Sequence, residues 1–378
     1  MNIIVDENMP NAALLFSRLG DVELVNGRTL TREQVKDVDV LLVRSVTKVT
    51  KNLLEGSRVR FVGSATIGVD HIDLDYLQEA GIAFSNAPGC NAEAVADYVF
   101  SSLGYLHLSK KLNWLGKKIG VIGYGNVGKK VYSRFAAMGC QVCVYDPFKE
   151  EKDSDINFTS LKGVLACDVV SLHAPLTKSG SHPTQGMLGE AELNSLNAGV
   201  TIISAGRGGV IDESALFKLH GRLGGDLNLI LDVWQDEPNI NQKLVSLVDI
   251  ATPHIAGYSK QGREKGSWMV YKALCEHLGV VTDINEIDAI SSGLCASLEI
   301  ATGYIDEEVL ARSMHAVYDV ARDDARLRFK YREAKEKDVF DWLRKCYVER
   351  DEFNTCSVKH DSNDVLSLLG SAGFVINN

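Results

Sequence analysis

No run of this sequence stays apolar for the ~20 residues that spanning a bilayer requires. A membrane span is thereby not expected, and Asp6 and Glu7 interrupt the amino terminus before a signal-like stretch can develop. Positive charge is also scarce: 40 Lys and Arg stand against 50 Asp and Glu, a net charge of -10. That balance speaks against a polyanionic partner, so no nucleic acid is expected. Cysteine is thinly spread, and eight in 378 residues do not make the framework of a secreted domain. Cys140 and Cys143 have C-x-x-C spacing, but GCQVCVYD reads as a strand, where residues three apart point to opposite faces. The histidines show no paired metal-ligand spacing, so no metal is expected. Repeats and low-complexity tracts are absent. What remains is a globular chain, cytoplasmic by expectation, long enough for two or three domains.

Short apolar runs recur through most of the length. Strands are predicted at 2–5, 38–43, 59–63, 118–122, 141–145, 168–172, 200–204, 228–232 and 248–251. Helices are predicted at 12–19, at 91–110 with Asn91 as N-cap, at 259–278 and at 306–320. Strands of this kind alternating with helices indicate parallel sheets buried on both faces. Polar residues just past such strands lie at the carboxyl edge, where α/β folds bind ligands. Beyond Val281 this rhythm stops and the chain becomes strongly charged, as in an added third domain.

The run Lys118–Ile122 leads into Gly123-Tyr124-Gly125-Asn126-Val127-Gly128, and Asp146 ends the next strand. A lone glycine box is weak, but a strand before it, a helix after it and a following acid make a dinucleotide fingerprint. The first glycine permits a tight turn, the second lets phosphate approach the backbone, and the third lets helix pack on strand. The helix amino terminus offers N–H groups and positive dipole to a pyrophosphate. Asp146 can accept from ribose hydroxyls and would repel a 2′-phosphate, so NAD is favoured over NADP. The box comes late, which suggests that the cofactor domain is inserted within another domain that starts at the amino terminus.

Three residues past later strands carry the chemistry. Arg207, in ISAGRGG, can grip a carboxylate with two charge-assisted hydrogen bonds. His254 follows another strand in ATPH, and Glu237 in DVWQDEP can orient its imidazole. Such a pair can take a hydroxyl proton while hydride leaves the same carbon.

These segments together resemble the NAD-dependent D-2-hydroxyacid dehydrogenase family over roughly residues 1–280, through the glycine box, ISAGRGGVID, LDVWQDEP and TPHIAGYS. The resemblance implies catalytic roles for Arg207, Glu237 and His254. It implies cofactor contacts at Gly123, Gly125, Asn126, Val127, Gly128, Asp146, His173, Ala174, Pro175, Ala205, Asp232 and Gly257. Ser204 and Gly206 depart from the residues common in relatives, without removing a catalytic group. The fold it implies is α/β: a Rossmann-type NAD domain (97–255) inserted in a flavodoxin-like substrate domain (1–96 and 256–280). An α+β carboxy-terminal dimerisation domain (281–378) would follow. VDENMP, LLVRSVTKV, GSATIGVDHID and APGCNAEAVADYV resemble a branch acting on a small phosphorylated 2-hydroxy acid of four carbons. That branch implies a homodimer and substrate contacts at Ser45, Thr66 and Tyr258, with Arg44 and Lys48 as nearby cations. A dehydrogenase of three-carbon phosphoglycerate would share the machinery, and an NAD-sensing corepressor-like protein can retain it.

Overall fold

The computed structural model describes residues 1–149, 156–333 and 338–377. They form two compact units, Met1–Asn91 with Ser259–Ser292, and Ala92–Tyr258 with Gly293–Asn378.

The first unit is built on five parallel strands: β1 (Asn2–Asp6), β2 (Asp21–Val25), β3 (Val40–Val43), β4 (Phe61–Ser64) and β5 (Ala83–Asn86), ordered β2-β1-β3-β4-β5. This is the flavodoxin-like order. Val-Leu-Leu-Val of β3 is buried throughout, as a strand covered on both faces requires. The two edge strands escape the sequence pattern. β2 (DVELV) is largely solvated and β5 (AFSN) half-buried, so neither needs an apolar run. The first helix, Ala12–Phe16, stops three residues sooner than predicted.

The predicted helix at 259–278 belongs to this unit. Ser259 caps it by accepting from the Gly262 amide, and Gly279, at φ 67°, ends it. It lies so close to β4 that a Cβ on Gly63 would stand 2.4 Å from Val270 Cγ1.

The second unit contains β6 (Lys118–Ile122), β7 (Gln141–Tyr145), β8 (Val169–Leu172), β9 (Thr201–Ser204), β10 (Asn228–Leu231) and β11 (Ile250–Ala251), all parallel. Their order is β11-β10-β9-β8-β6-β7, extended past β7 by one parallel bridge between Val144 and Phe158. The strand order reverses between β6 and β8. Doubly wound sheets bind ligands at the carboxyl ends of such a pair.

The helix Ala92–Lys110 is buried on most sides, which explains its weak amphipathic signal. Asn91 precedes it but does not cap it, because Asn91 Oδ1 is buried with no hydrogen-bond partner among the described residues. The carboxy-terminal segment supplies one reason for that burial. Its helix Asp306–Val317 packs so closely that a Cβ on Gly104 would stand 2.9 Å from Met314 Cε. The helix predicted at 306–320 is two helices, since Tyr318 is extended (φ -135°, ψ 107°) and a second begins at Val320. The Tyr318 carbonyl accepts from Ser101 Oγ (2.5 Å) and its hydroxyl donates to Asp323 (3.0 Å). Strands β12 (Ser297–Glu299), β13 (Ser357–Lys359) and β14 (Val375–Ile376) make a small parallel sheet. Phe353, Val358 and Leu369 bring this segment into one core with Val99 and Phe135.

Candidate active site

Each candidate of the second unit sits just past a parallel strand. After β6, Gly123 turns the chain at φ 89°, where a side chain would strain the backbone and collide with the Ala174 amide at 2.8 Å. Gly128 touches the turn itself, for a Cβ there would stand 1.9 Å from the Gly123 carbonyl oxygen. Gly125 faces open space and is the N-cap of the helix Asn126–Ala137, with no side chain to cap it. Among the described residues no side chain caps the first-turn amides, an arrangement that suits a pyrophosphate. Asp146 stands beside this turn, half-buried. Its carboxylate accepts from the Tyr124 amide (2.8 Å) and the Phe148 amide (3.1 Å). An open glycine, uncapped amides and an adjacent acid fit a dinucleotide.

The loop after β8 faces the glycine turn. The His173 amide donates to the Ile122 carbonyl (2.8 Å), which fixes the loop to the end of β6. His173 Nε2 pairs with Ser171 Oγ (2.8 Å), while Nδ1 is buried with no partner among the described residues. Burial pushes this imidazole down to about 3, so it stands neutral with one polar atom unspent. Ala174 and Pro175 follow in the same loop, and Thr184 Oγ1 donates to the Pro175 carbonyl (2.6 Å).

Ala205, Gly206 and Arg207 follow β9. The Ala205 amide donates to Leu172 (3.2 Å), and a Cβ on Gly206 would stand 2.7 Å from the Ala174 carbonyl oxygen. A Cβ on Gly208 would stand 1.7 Å from the Trp234 carbonyl oxygen. Arg207 is thus held between two loops by glycines that let backbones touch. Its guanidinium bonds the Gly206 carbonyl (3.0 Å), and has no acidic partner among the described residues. The remaining donors can take an anion.

The loop of His254 is organised by Asp232, at the end of β10. This carboxylate is 1% exposed and accepts from Thr252 Oγ1 (2.7 Å), the Ile255 amide (2.7 Å) and the Ala256 amide (2.9 Å). The His254 amide donates to the Asp232 carbonyl (2.7 Å). Burial raises the Asp232 pKa even so. Its oxygens are spent on the loop that carries His254 and leads on to Gly257.

Glu237 and His254 meet. Glu237 Oε2 lies 2.8 Å from His254 Nδ1, and Oε1 accepts from the Trp234 amide (2.9 Å). Burial alone would raise the Glu237 pKa. The hydrogen bond and charge of His254, the Trp234 amide and the Arg344 charge outweigh it and leave the carboxyl below its usual range. A carboxylate fixed on Nδ1 leaves Nε2 free to exchange a proton.

Tyr258, at the end of this loop, packs edge-on against Tyr347 with centroids 5.6 Å apart. Ser45 and Thr66 belong to the first unit, past β3 and β4. Ser45 is exposed, while Thr66 Oγ1 bonds Ser64 Oγ (2.8 Å) and the Gly68 carbonyl (3.2 Å). Tyr98, whose hydroxyl meets Thr252 Oγ1 at 2.8 Å, supports the His254 loop from a distant helix. It carries no sequence signal beyond that of a core aromatic. The C-x-x-C does not pair: Cys143 Sγ faces Cys167 Sγ at 3.4 Å.

A doubly wound sheet with a dinucleotide turn and a carboxylate-oriented histidine defines an NAD-dependent oxidoreductase. Residues 106–256 match the family described as D-isomer specific 2-hydroxyacid dehydrogenase, NAD binding domain. Residues 297–373 match a domain of unknown function. The chain is 70% identical to the erythronate-4-phosphate dehydrogenase of Marinomonas sp. (strain MWYL1), over 100% of both chains. It is 42% identical to that of Shewanella baltica (strain OS185), over 99% of each. An NAD+-bound 3-phosphoglycerate dehydrogenase of Entamoeba histolytica superposes with a TM-score of 0.62 at 26% identity, covering 75% of this chain and 97% of that one. The chain belongs to the D-2-hydroxyacid dehydrogenase family, within its erythronate-4-phosphate dehydrogenases, and its cofactor is NAD. No helix among the described residues is long and apolar enough to cross a membrane.

Proposed function

We propose that this enzyme oxidises 4-phospho-D-erythronate at C2 to 3-hydroxy-2-oxo-4-phosphobutanoate, as a step toward pyridoxal 5′-phosphate. The substrate follows from the 70% identity to the Marinomonas enzyme over the full chain. The mechanism rests on the 2.8 Å contact between Glu237 and His254.

Arg207 grips the substrate carboxylate with donors that no protein carboxylate among the described residues occupies. His254 takes the C2 hydroxyl proton at Nε2, and Glu237 holds the other nitrogen and steadies the imidazolium that forms. Bound NAD+ would supply the acceptor for the C2 hydride. In the reverse direction His254 returns the proton to the developing alkoxide. Gly123, Gly125, Asn126, Val127 and Gly128 receive the pyrophosphate, and Asp146 the adenosine ribose. His173, Ala174, Pro175, Ala205, Asp232 and Gly257 complete the cofactor site. Ser45, Thr66 and Tyr258 contact substrate through hydroxyls. The protein works in the cytoplasm as a homodimer paired through residues 281–378.

The test is NADH formation with 4-phospho-D-erythronate beside 3-phospho-D-glycerate at matched concentrations. A much larger kcat/KM for the four-carbon acid is expected. A preference for glycerate phosphate would overturn the substrate and leave the mechanism standing. Light scattering of the purified full-length protein over a range of concentrations tests the dimer.

A further inference from the structure

Arg344 lies far in sequence from the glycine box and the catalytic motifs. The helix Val339–Lys345 carries it, anchored by Val339, Phe340 and Leu343 in the core of the second unit. The guanidinium stands against the Tyr258 ring, with Cζ 5.9 Å from its centroid, and its side chain is 26% exposed. Its charge reaches the catalytic carboxylate, since it is one of the groups holding Glu237 down.

Its donors are poorly used. Among the described residues its one ion pair is with Asp341, at 3.9 Å, and Nε is buried with no hydrogen-bond partner. Arg328, from the preceding helix, shows what a structural arginine does here. It bonds Asp324 (2.9 Å), the Val245 carbonyl (2.6 Å) and the Val248 carbonyl (2.8 Å). Arg344 instead keeps a guanidinium beside Tyr258, within electrostatic reach of Glu237.

A phosphorylated 2-hydroxy acid carries two anionic ends. Arg207 suits the carboxylate beside the reacting carbon, so the phosphate at the other end calls for a second cation. A guanidinium matches phosphate oxygens in geometry and charge, and a tyrosine hydroxyl adds a donor. We propose that Arg344, together with Tyr258, receives the substrate phosphate and sets the preference for a phosphorylated over an unphosphorylated acid. The inference rests on the function proposed above.

The test compares wild type, Arg344→Gln and Arg344→Lys with 4-phospho-D-erythronate and with D-erythronate. In Arg344→Gln, KM for the phosphorylated acid should rise about 30-fold, the scale of removing one charge-assisted hydrogen bond. Its kcat, and its kcat/KM for D-erythronate, should each change by only a few fold, and Arg344→Lys should recover part of the loss. Inorganic phosphate should compete with substrate in wild type and far less in Arg344→Gln. Unchanged NAD affinity and melting temperature identify a folded variant, and Arg344→Lys carries the comparison if Arg344→Gln does not fold. An unchanged preference for the phosphorylated acid in both variants, or equal losses with both acids, overturns the inference alone. A wild type that does not prefer the phosphorylated acid overturns the proposed function and this inference with it.

Discussion

The loops that carry His254 and Arg207 are held by different means at the two side chains. His254 sits at φ 58°, a left-handed conformation that a non-glycine residue keeps only when its surroundings enforce it. They do so through hydrogen bonds. Asp232 gathers Thr252, Ile255 and Ala256, Trp234 Nε1 donates to the Thr252 carbonyl (2.9 Å), and Tyr98 meets the Thr252 hydroxyl. The Arg207 loop has no buried carboxylate at its centre among the described residues. Backbone bonds such as Gly186 amide to Gly209 carbonyl (2.8 Å) and Leu188 amide to Val210 carbonyl (3.1 Å) tie its far end. Around Arg207 itself the chain is fixed by close packing at Gly206 and Gly208, and the guanidinium keeps one bond, to the Gly206 carbonyl, among the described residues. The contrast suits the two roles proposed for them. A proton-transfer group must be placed to a fraction of an ångström. A carboxylate clamp must keep its donors unspent, which packing allows and a hydrogen-bond network would not.

The strongest way to break this comparison is His254→Ala. Losing a positioned acid–base group should lower kcat by roughly 100- to 10,000-fold. NAD binding, measured by fluorescence titration, should survive. An equal loss of NAD affinity would mean that the residue supports the cofactor site or the fold rather than the proton transfer. Next in size is Arg207→Gln, which removes the anion clamp but no bond that the loop needs. Its kcat/KM should fall roughly 100-fold, as expected when a charge-assisted pair loses one partner. Its melting temperature should stay near wild type, and a large drop in melting temperature would show that the loop does depend on the guanidinium.

Gly208→Ala tests the packing side directly. The added Cβ would stand 1.7 Å from the Trp234 carbonyl oxygen, so backbone has to move. Overpacking of this kind costs about 1–3 kcal/mol, readable by urea unfolding. Because the Trp234 amide also bonds Glu237, kcat should fall with stability. Wild-type stability and turnover in this variant would show that close packing does not position the Arg207 loop.

Much of this arrangement is legible in the amino-acid sequence. Apolar runs mark β3, β4 and the inner strands of the second sheet because both faces are covered, and Gly123 and Gly128 mark the turn because a side chain would collide there. Edge strands β2 and β5 are not legible, since half-solvated strands need no apolar run. Nor are the partners of Asp232. A buried acid at a strand end reads the same whether its oxygens serve a ligand or a neighbouring loop. Arg344 and Tyr98 lie hidden for another reason. They reach the His254 loop from helices remote in sequence, and a single sequence carries no record of which distant residues meet.

The smallest effect belongs to His173, whose loop packs against Gly206 and so supports the clamp side of the contrast. Its imidazole is pushed down to about 3 by burial, while an unfolded chain would protonate it near 6.5. The folded state therefore binds fewer protons between those values, and stability rises with pH there. The contribution is fully present above 6.5 and is lost as pH falls toward 3, by at most about 1.4 kcal/mol per pH unit. His173→Gln keeps a polar side chain but does not titrate. Urea unfolding at several pH values between roughly 7 and 5, on the upper side of that window, should give a flatter stability curve for this variant than for wild type. Parallel curves would mean that His173 ionises in the folded protein as readily as in the unfolded chain. The loop after β8 would then be open to water, and glycine packing could not be what holds that side of the site.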